Sequence, residues 1–553
     1  MPGGLLNLIS SGQANVILNG QPQKTFFTSS YKTYTNFGLQ KFRIDFSGQR
    51  TLRLNESSVF KFTVPRYAEL LMDTYVVIDM PTIWSPIRPP ADCDSSWQPY
   101  EFKWIENLGS QMIEKIEVTA GGQTLQKVSG QYLYNLVQRD WSEGKRELYN
   151  RMTGHVPEMN DPANANGRNG KYPSAYYTQS QLGAEPSIRG RQLYIPINVW
   201  FSLSSKQAFP LVSMQYNTLE IEVTIRPIAD LCVVRDMDSP DGAYIRPNFN
   251  DSRYNFYRFL QPPPSISLDA ADYSDTRTNW NAGIHLNATY AFLSEDEVRW
   301  FAANPQQYLI KEVYEYDFNN TVGTGKVELD SLSVVADWMW YFQRNDAKLR
   351  NQWSNYTNWP YKNIVPNPIR LAESTDPTIT LSCGDFAPDK NPFKNGQSNV
   401  DSGIYITGDY SPDNQKEIMD SWAIALDGKY RENEMPSGVF DYVEKYLRTG
   451  GDAGNGLYCY NFNLNTSPFD LQPSGGMNLS KFKTIEFEYK TYYPPMDPSA
   501  QFYTVCDPET GVPIAVNKPS WRVFDYTFDL HVMEERYNVV KFESGNVGLM
   551  YAR

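Results

Sequence analysis

The sequence is poor in histidine, in cysteine, in long apolar runs and in positive charge. Three histidines, His155, His285 and His531, occur in 553 residues. No two are neighbours, which excludes an HExxH zinc motif. The five cysteines, Cys93, Cys232, Cys383, Cys459 and Cys506, are odd in number and far apart. No CxxC metal or redox pair exists, and scattered free thiols in a reducing compartment are expected. No stretch approaches the roughly 18 apolar residues of a membrane span. The first basic side chain is Lys24, and the apolar stretch from Leu5 to Ile9 is short and broken by Asn7. A secretory signal peptide is therefore not expected. Lys+Arg is 50 against 63 Asp+Glu, a net charge of −13. That balance disfavours a coat that binds DNA or RNA through its phosphates. Gly (35) and Pro (37) are at ordinary levels, so collagen-like and low-complexity classes fall away.

Aromatic residues are abundant: 28 Phe, 13 Trp and 38 Tyr, 14% of the chain. Such a chain can bury a large core. The dominant period is two. Leu219, Ile221, Val223 and Ile225 alternate with Glu220, Glu222, Thr224 and Arg226. Phe524, Tyr526, Phe528, Leu530 and Val532 alternate with Asp525, Thr527, Asp529 and His531, and Ile485, Phe487 and Tyr489 with Glu486, Glu488 and Lys490. Phe60, Phe62 and Val64 flank Lys61 and Thr63 in the same way. Each run predicts a strand with one buried and one wetter face. Turn signals separate the runs at Asn19-Gly20, Gly121-Gly122, Gly475-Gly476 and Pro494-Pro495. Helical periodicity is weak, with one clear helix start, the capping box Ser294-Glu295-Asp296-Glu297. Strand-rich blocks cover 15–137 with 191–227, then 285–350 with 415–545. Polar stretches at 138–190, 228–284 and 360–415 read as loop excursions. Two large sandwiches fit the length better than three or four domains.

The search for chemistry finds little. Gly323-Thr324-Gly325-Lys326 lacks the earlier glycine of a phosphate-binding loop and runs into Val327, so it reads as a hairpin turn. There is no GxSxG nucleophile elbow. His531 lies on the polar face of an alternating strand, and His155 and His285 lie in or beside loops with no partner identifiable in sequence. Carboxylates are plentiful, yet nothing selects the pair a glycosidase needs. The aromatic segments Trp338-Met339-Trp340-Tyr341-Phe342 and Tyr492-Tyr493 suit core or interface better than sugar stacking. No catalytic, cofactor-binding or metal residue is selected, and the expectation is a non-enzyme without cofactors. Seven Asn-x-Ser/Thr sequons, at Asn55, Asn250, Asn287, Asn319, Asn355, Asn465 and Asn478, are read as chance in an Asn-rich chain.

Ordered motif blocks nevertheless run nearly end to end. The first is Gly3-Gly4-Leu5, Gly12, Asn19-Gly20-Gln21-Pro22, Thr25-Phe26-Phe27, Tyr31 and Tyr34-Thr35-Asn36-Phe37. Val64-Pro65-Arg66, Leu70-Leu71, Asp73, Tyr75, Asp79 and Pro81 follow, then Asn107-Leu108-Gly109, Ile113, Ile116-Glu117 and Gly121-Gly122-Gln123. Leu193-Tyr194-Ile195-Pro196, Trp200-Phe201, Ala208-Phe209-Pro210-Leu211 and Gln215-Tyr216 complete the first half. The second half carries Tyr290-Ala291-Phe292-Leu293, Glu297-Val298-Arg299-Trp300-Phe301-Ala302 and Tyr308-Leu309-Ile310. It ends with Leu457-Tyr458, Phe462, Gln472-Pro473-Ser474-Gly475-Gly476-Met477-Asn478-Leu479-Ser480, Tyr537-Asn538-Val539-Val540 and Gly545-Asn546-Val547-Gly548-Leu549. By these blocks the chain resembles the double jelly-roll major capsid proteins of nucleocytoplasmic large DNA viruses. Asp427-Gly428-Lys429-Tyr430-Arg431-Glu432-Asn433 is similar to the mimivirus-like branch.

The resemblance implies an all-β fold of two tandem eight-stranded antiparallel jelly rolls with long inserted loops and a few short helices. The expected layout is an N-terminal arm (1–24), a first jelly roll (25–227, long loop about 138–190), a linker or insert (228–284) and a second jelly roll (285–553, long loop about 360–415). It also implies homotrimeric, pseudo-hexagonal capsomers tiling an icosahedral shell, assembled in host cytoplasm. Implied partners are neighbouring capsomers, penton and minor capsid proteins and an internal membrane underneath, with no direct nucleic-acid contact. Surface glycans stay open. The rival reading is a carbohydrate-active or glycan-binding β-sandwich. It predicts a monomer with a sugar cleft, where the capsid reading predicts a stable trimer.

Overall fold

The chain folds as two sandwiches with the same strand path. The computed structural model describes residues 2–10, 12–46, 48, 51–90, 97–237, 243–278, 280–366, 370–371, 405–406, 410–496, 503–506, 513–517 and 525–551. The first sandwich is built from β1 (Phe37–Ile44), β2 (Ser58–Thr63), β3 (Leu70–Asp79), β4 (Ile113–Ala120), β5 (Gln123–Ser129), β6 (Gln192–Pro196), β7 (Leu219–Ile225) and β8 (His285–Leu293). Its two sheets run in the orders β1-β8-β3-β6 and β2-β7-β4-β5. The second sandwich uses β9 (Gln306–Phe318), β10 (Thr324–Glu328), β11 (Val334–Arg344), β12 (Met419–Leu426), β13 (Lys429–Pro436), β14 (Leu457–Asn461), β15 (Ile485–Thr491) and β16 (Phe528–Glu543). Its sheets run β9-β16-β11-β14 and β10-β15-β12-β13. Adding eight to every strand number of the first sandwich gives the second. All pairings among these strands are antiparallel. Short additional strands join the sheets, Phe209–Pro210 beside β3 and Asn546–Leu549 beside β16.

The period-two runs become strands as their pattern requires. In β2, Phe60 and Phe62 point inward while Val59, Lys61 and Thr63 are exposed. In β7, Leu219, Ile221, Val223 and Ile225 are fully buried. Turns match as well. Gly121 and Gly122 (φ +58° and +83°) join β4 to β5, and Asp427 and Gly428 (φ +49° and +75°) join β12 to β13. Two consecutive positive φ values make the type I′ turn whose twist suits a two-residue hairpin. It recurs at the same topological step in both sandwiches.

Several expectations change. His285–Leu293, assigned from sequence to the second half, pairs with β1 and β3 and is the eighth strand of the first sandwich. Helix α3 (Glu295–Ala303) then carries the chain to β9. The stretch 228–284 is more than a connection: Cys232–Arg235 pairs with Phe102–Trp104, and Phe256 and Phe259 are wholly buried. Residues 138–190 are not one open excursion. Helix α1 (Gly130–Asp140), capped by the Ser129 side chain accepting from the Tyr132 N–H, runs into this stretch, and α2 (Glu143–Thr153) follows. Nearly every residue of α1 is buried, the polar Gln131, Asn135, Arg139 and Asp140 included. The α3 helix forms where the capping box predicts, but Ser294 makes no side-chain cap bond, and Glu297 instead accepts from the Thr35 hydroxyl at 2.6 Å. Gly323-Thr324-Gly325-Lys326 leads into β10, whose partner is β15 rather than β9, so it is a passage between sheets. Asn19 ends a four-residue helix, Val16–Asn19. Cys93, Cys383, Phe524, residues 238–242 and most of 360–415 lie outside the described residues.

Candidate assembly site

The aromatic run of β11 explains how the sandwiches are joined. Val335, Trp338, Trp340 and Phe342 enter the core of the second sandwich, where Trp340 stacks on Trp422 (4.9 Å) and meets Phe487 edge-on. Met339 and Tyr341, on the opposite face, belong to the core of the first sandwich. A strand buried on both faces reads as a continuous apolar run rather than an alternating one. The sheet β9-β16-β11-β14 is thus shared: one face closes its own sandwich and the other docks on α1 and its surroundings. Near its C-terminal end, β16 reaches the first sandwich, where Phe542 packs on Phe209 (5.0 Å).

Polar contacts fix the register of this junction. Gln126 Nε2 donates to the Lys311 carbonyl (3.1 Å) and Gln207 Nε2 to the Leu309 carbonyl (2.7 Å). The segment after β11 reaches back: Asn351 Nδ2 donates to the carbonyls of Ala229 and Cys232, both at 2.7 Å, and Trp353 Nε1 to that of Asp230. Tyr356 donates to Asn135 Oδ1 (2.7 Å). In the middle Arg139 of α1 meets Asp337 of β11 and Glu535 of β16, each at 2.7 Å, and Lys311 of β9 meets Glu535 at 2.9 Å. Burial pushes the Glu535 carboxyl up, but the Arg139 and Lys311 charges outweigh it and hold it down to about 2. An unpaired charge here would be costly, so these contacts allow one docking of the two sandwiches and penalise others.

The outward surfaces differ in kind. Among the described residues ahead of β1, ten large apolar side chains, Ile17 (90% exposed), Phe26 (89%) and Phe27 (95%) among them, are exposed. A helical segment spanning Val439–Arg448 adds exposed Tyr442, Val443, Tyr446 and Leu447. Apolar surface on this scale marks contact with other molecules. Strand β1 is an outer strand with Phe37 and Leu39 exposed.

The residues weighed for chemistry sit in structural roles. His155 Nδ1 accepts from the Asn107 N–H (3.1 Å), with burial pushing its pKa down. His285 Nδ1 lies 2.8 Å from the Gly283 carbonyl. His531 pairs across the strands with Asp317 and stacks on Tyr341. Cys232 and Cys459 are buried free thiols. Trp338 and Trp340, which a glycan reader would present, are wholly buried, while Tyr493 is exposed. The sequon at Asn355 is 3% exposed with its Nδ2 bonded to the Trp359 carbonyl, so it cannot carry a glycan in this fold. Among the described residues no helix is long and apolar enough to cross a membrane. The junction's charged residues, Arg139, Lys311, Asp337 and Glu535, were not singled out from sequence, because their spacing along the chain carries no motif.

Comparisons with known proteins agree with this architecture. A family model described as the major capsid protein N-terminus matches residues 25–251, and one described as the large eukaryotic DNA virus major capsid protein matches residues 297–548. The major capsid protein of Phaeocystis pouchetii virus is 25% identical over 521 residues, 87% of this chain and 91% of that one. That of Paramecium bursaria Chlorella virus 1 is 23% identical over 558 residues, 100% of both chains. Among solved structures, the Faustovirus major capsid protein aligns with a TM-score of 0.60 at 12% identity, covering 98% of this chain and 96% of that chain. A PBCV-1 virus capsid chain aligns with a TM-score of 0.59 at 18% identity, covering 96% and 100%.

Proposed function

The chain belongs to the major capsid proteins of large eukaryotic DNA viruses, and from that premise we propose that three copies close into a trimer whose six sandwiches form a pseudo-hexagonal tile of an icosahedral shell. The observation that carries this reading is the repeated strand path, joined by a buried junction. Two similar sandwiches held rigidly side by side, repeated by a threefold axis, give six similar lobes. Closed rotational symmetry is the usual outcome for such heterologous contacts. The repeating units in this reading are residues 37–293 and 306–549.

The tile meets neighbouring capsomers at its rim, with penton and minor capsid proteins and an internal membrane beneath. The uncovered apolar arm is the segment suited to contacts below the shell. The net charge of −13 suits a shell facing solvent with no direct hold on nucleic acid. The protein acts as a structural element without turnover, assembled in host cytoplasm. The three histidines, each engaged in local structural contacts, support the absence of turnover. Glycans, where present, would use exposed positions, which the intact mass of virion-derived protein would show. Negative-stain imaging of the purified chain tests the reading: hexagonal plates are expected, and single two-lobed particles would refute it.

A further inference from the structure

The junction holds three carboxylates against two cations. The side chains of Arg139, Asp140 and Asp337 have no exposed surface, Glu535 has 1% and Lys311 18%. Arg139 contacts Asp140 (2.8 Å), Asp337 (2.7 Å) and Glu535 (2.7 Å); Lys311 contacts Glu535 (2.9 Å) and Asp337 (3.3 Å). Neutral groups complete the shell. Tyr132 of α1 donates to Glu535 (3.1 Å), Asn463 to Asp337 (3.1 Å), and the Thr466 hydroxyl to Asp140. Cys459 of β14 also faces the cluster; burial pushes its thiol up to about 12, so it stays neutral. Fully ionised, the five charged groups sum to −1 in a dry interior, where uncompensated charge is strongly disfavoured.

We propose that this junction is a proton-binding site: Asp140 takes up one proton as the pH falls below neutral, which neutralises the cluster and tightens the docking of the two sandwiches. Geometry selects Asp140. Asp337 and Glu535 each face both cations, whereas Asp140 contacts only Arg139 and a hydroxyl. Burial pushes the Asp140 carboxyl up to about 6, with Arg139 offsetting it only in part. Asp337 is also raised, by burial and by Glu535, but keeps both cations as partners. The sign follows from linkage. The folded chain binds this proton at a higher pH than the unfolded chain does, so stability rises as the pH falls through about 6.

Native-state hydrogen exchange of residues 130–140 in the full chain, corrected for intrinsic pH dependence, tests the proposal. Protection is expected to rise about tenfold from pH 7 to pH 5, the gain for one proton over one pH unit below its midpoint. Asp140→Asn should abolish that rise and show at pH 7 the protection the native chain has at pH 5. Glu535→Gln removes a charge that raises the Asp140 carboxyl and brings the cluster to neutrality, so it should lower protection at pH 7 and shrink the rise. A native chain whose protection is flat between pH 7 and pH 5 would overturn the proposal. So would an Asp140→Asn chain that keeps the rise, or an Asp337→Asn chain that alone loses it.

Discussion

At the scale of single residues, Arg139 is the side chain on which the junction turns. Replacing it with Met keeps much of its volume but leaves three buried carboxylates facing one ammonium group. The expected loss is about 3–5 kcal/mol, the usual cost of stranding buried charge, read from denaturant unfolding. Two buried carboxylates, Glu535 in this cluster and Asp346 outside it, set the acid limit. Glu535 is held down to about 2 against the push of burial by Arg139 and Lys311, and Asp346 to about 2 by Arg344 and Arg350. Their folded pKa values lie below the unfolded ones, so the stability they supply is present above about pH 4.5 and is lost as the pH falls towards 2. With Asp140 acting in the opposite sense, melting temperature should peak near pH 5. A melting temperature that rises steadily from pH 3 to pH 8 would contradict this assignment.

At the scale of elements, legibility followed exposure. Strands β2, β7 and β15 each have one wet face, so their alternation was readable in Lys61, Glu220 and Glu486. Strand β11 is buried on both faces and shows no polar alternation; helix α1 repeats Gln131, Asn135 and Arg139 at helical spacing, but these polar side chains are buried in the junction, and α1 was missed. Strand β8 was readable as a strand, but its partner was not. Pairing to β1 and β3 over more than 200 residues of chain leaves no local signal. The junction was unreadable for the same reason, since Arg139 and Glu535 are 396 positions apart. The two-faced role of β11 predicts the effect of substitutions. Trp340→Ala opens a cavity in the second core and should cost about 3–5 kcal/mol. Met339→Ala should cost about 2–5 kcal/mol and raise exchange on α1 as well, because Met339 packs on the first sandwich's side. Equal exchange on α1 in both variants would argue against the split of this run between two cores.

At the scale of the whole molecule, the early absences take on a shared meaning. A structural tile needs large apolar sandwiches and extensive interfaces, and it has little use for histidine clusters or paired thiols. The motif blocks made the family legible even though the physical pattern alone stopped at two sandwiches. Deleting residues 2–15 should leave trimer mass and melting unchanged while impairing particle assembly. Normal particles from the shortened chain would remove the arm from assembly. Native mass measurement of the purified full chain is the sharpest test of the trimer of paired sandwiches. A stable species of three times 63.4 kDa is expected. A chain that stays monomeric at high concentration would contradict it.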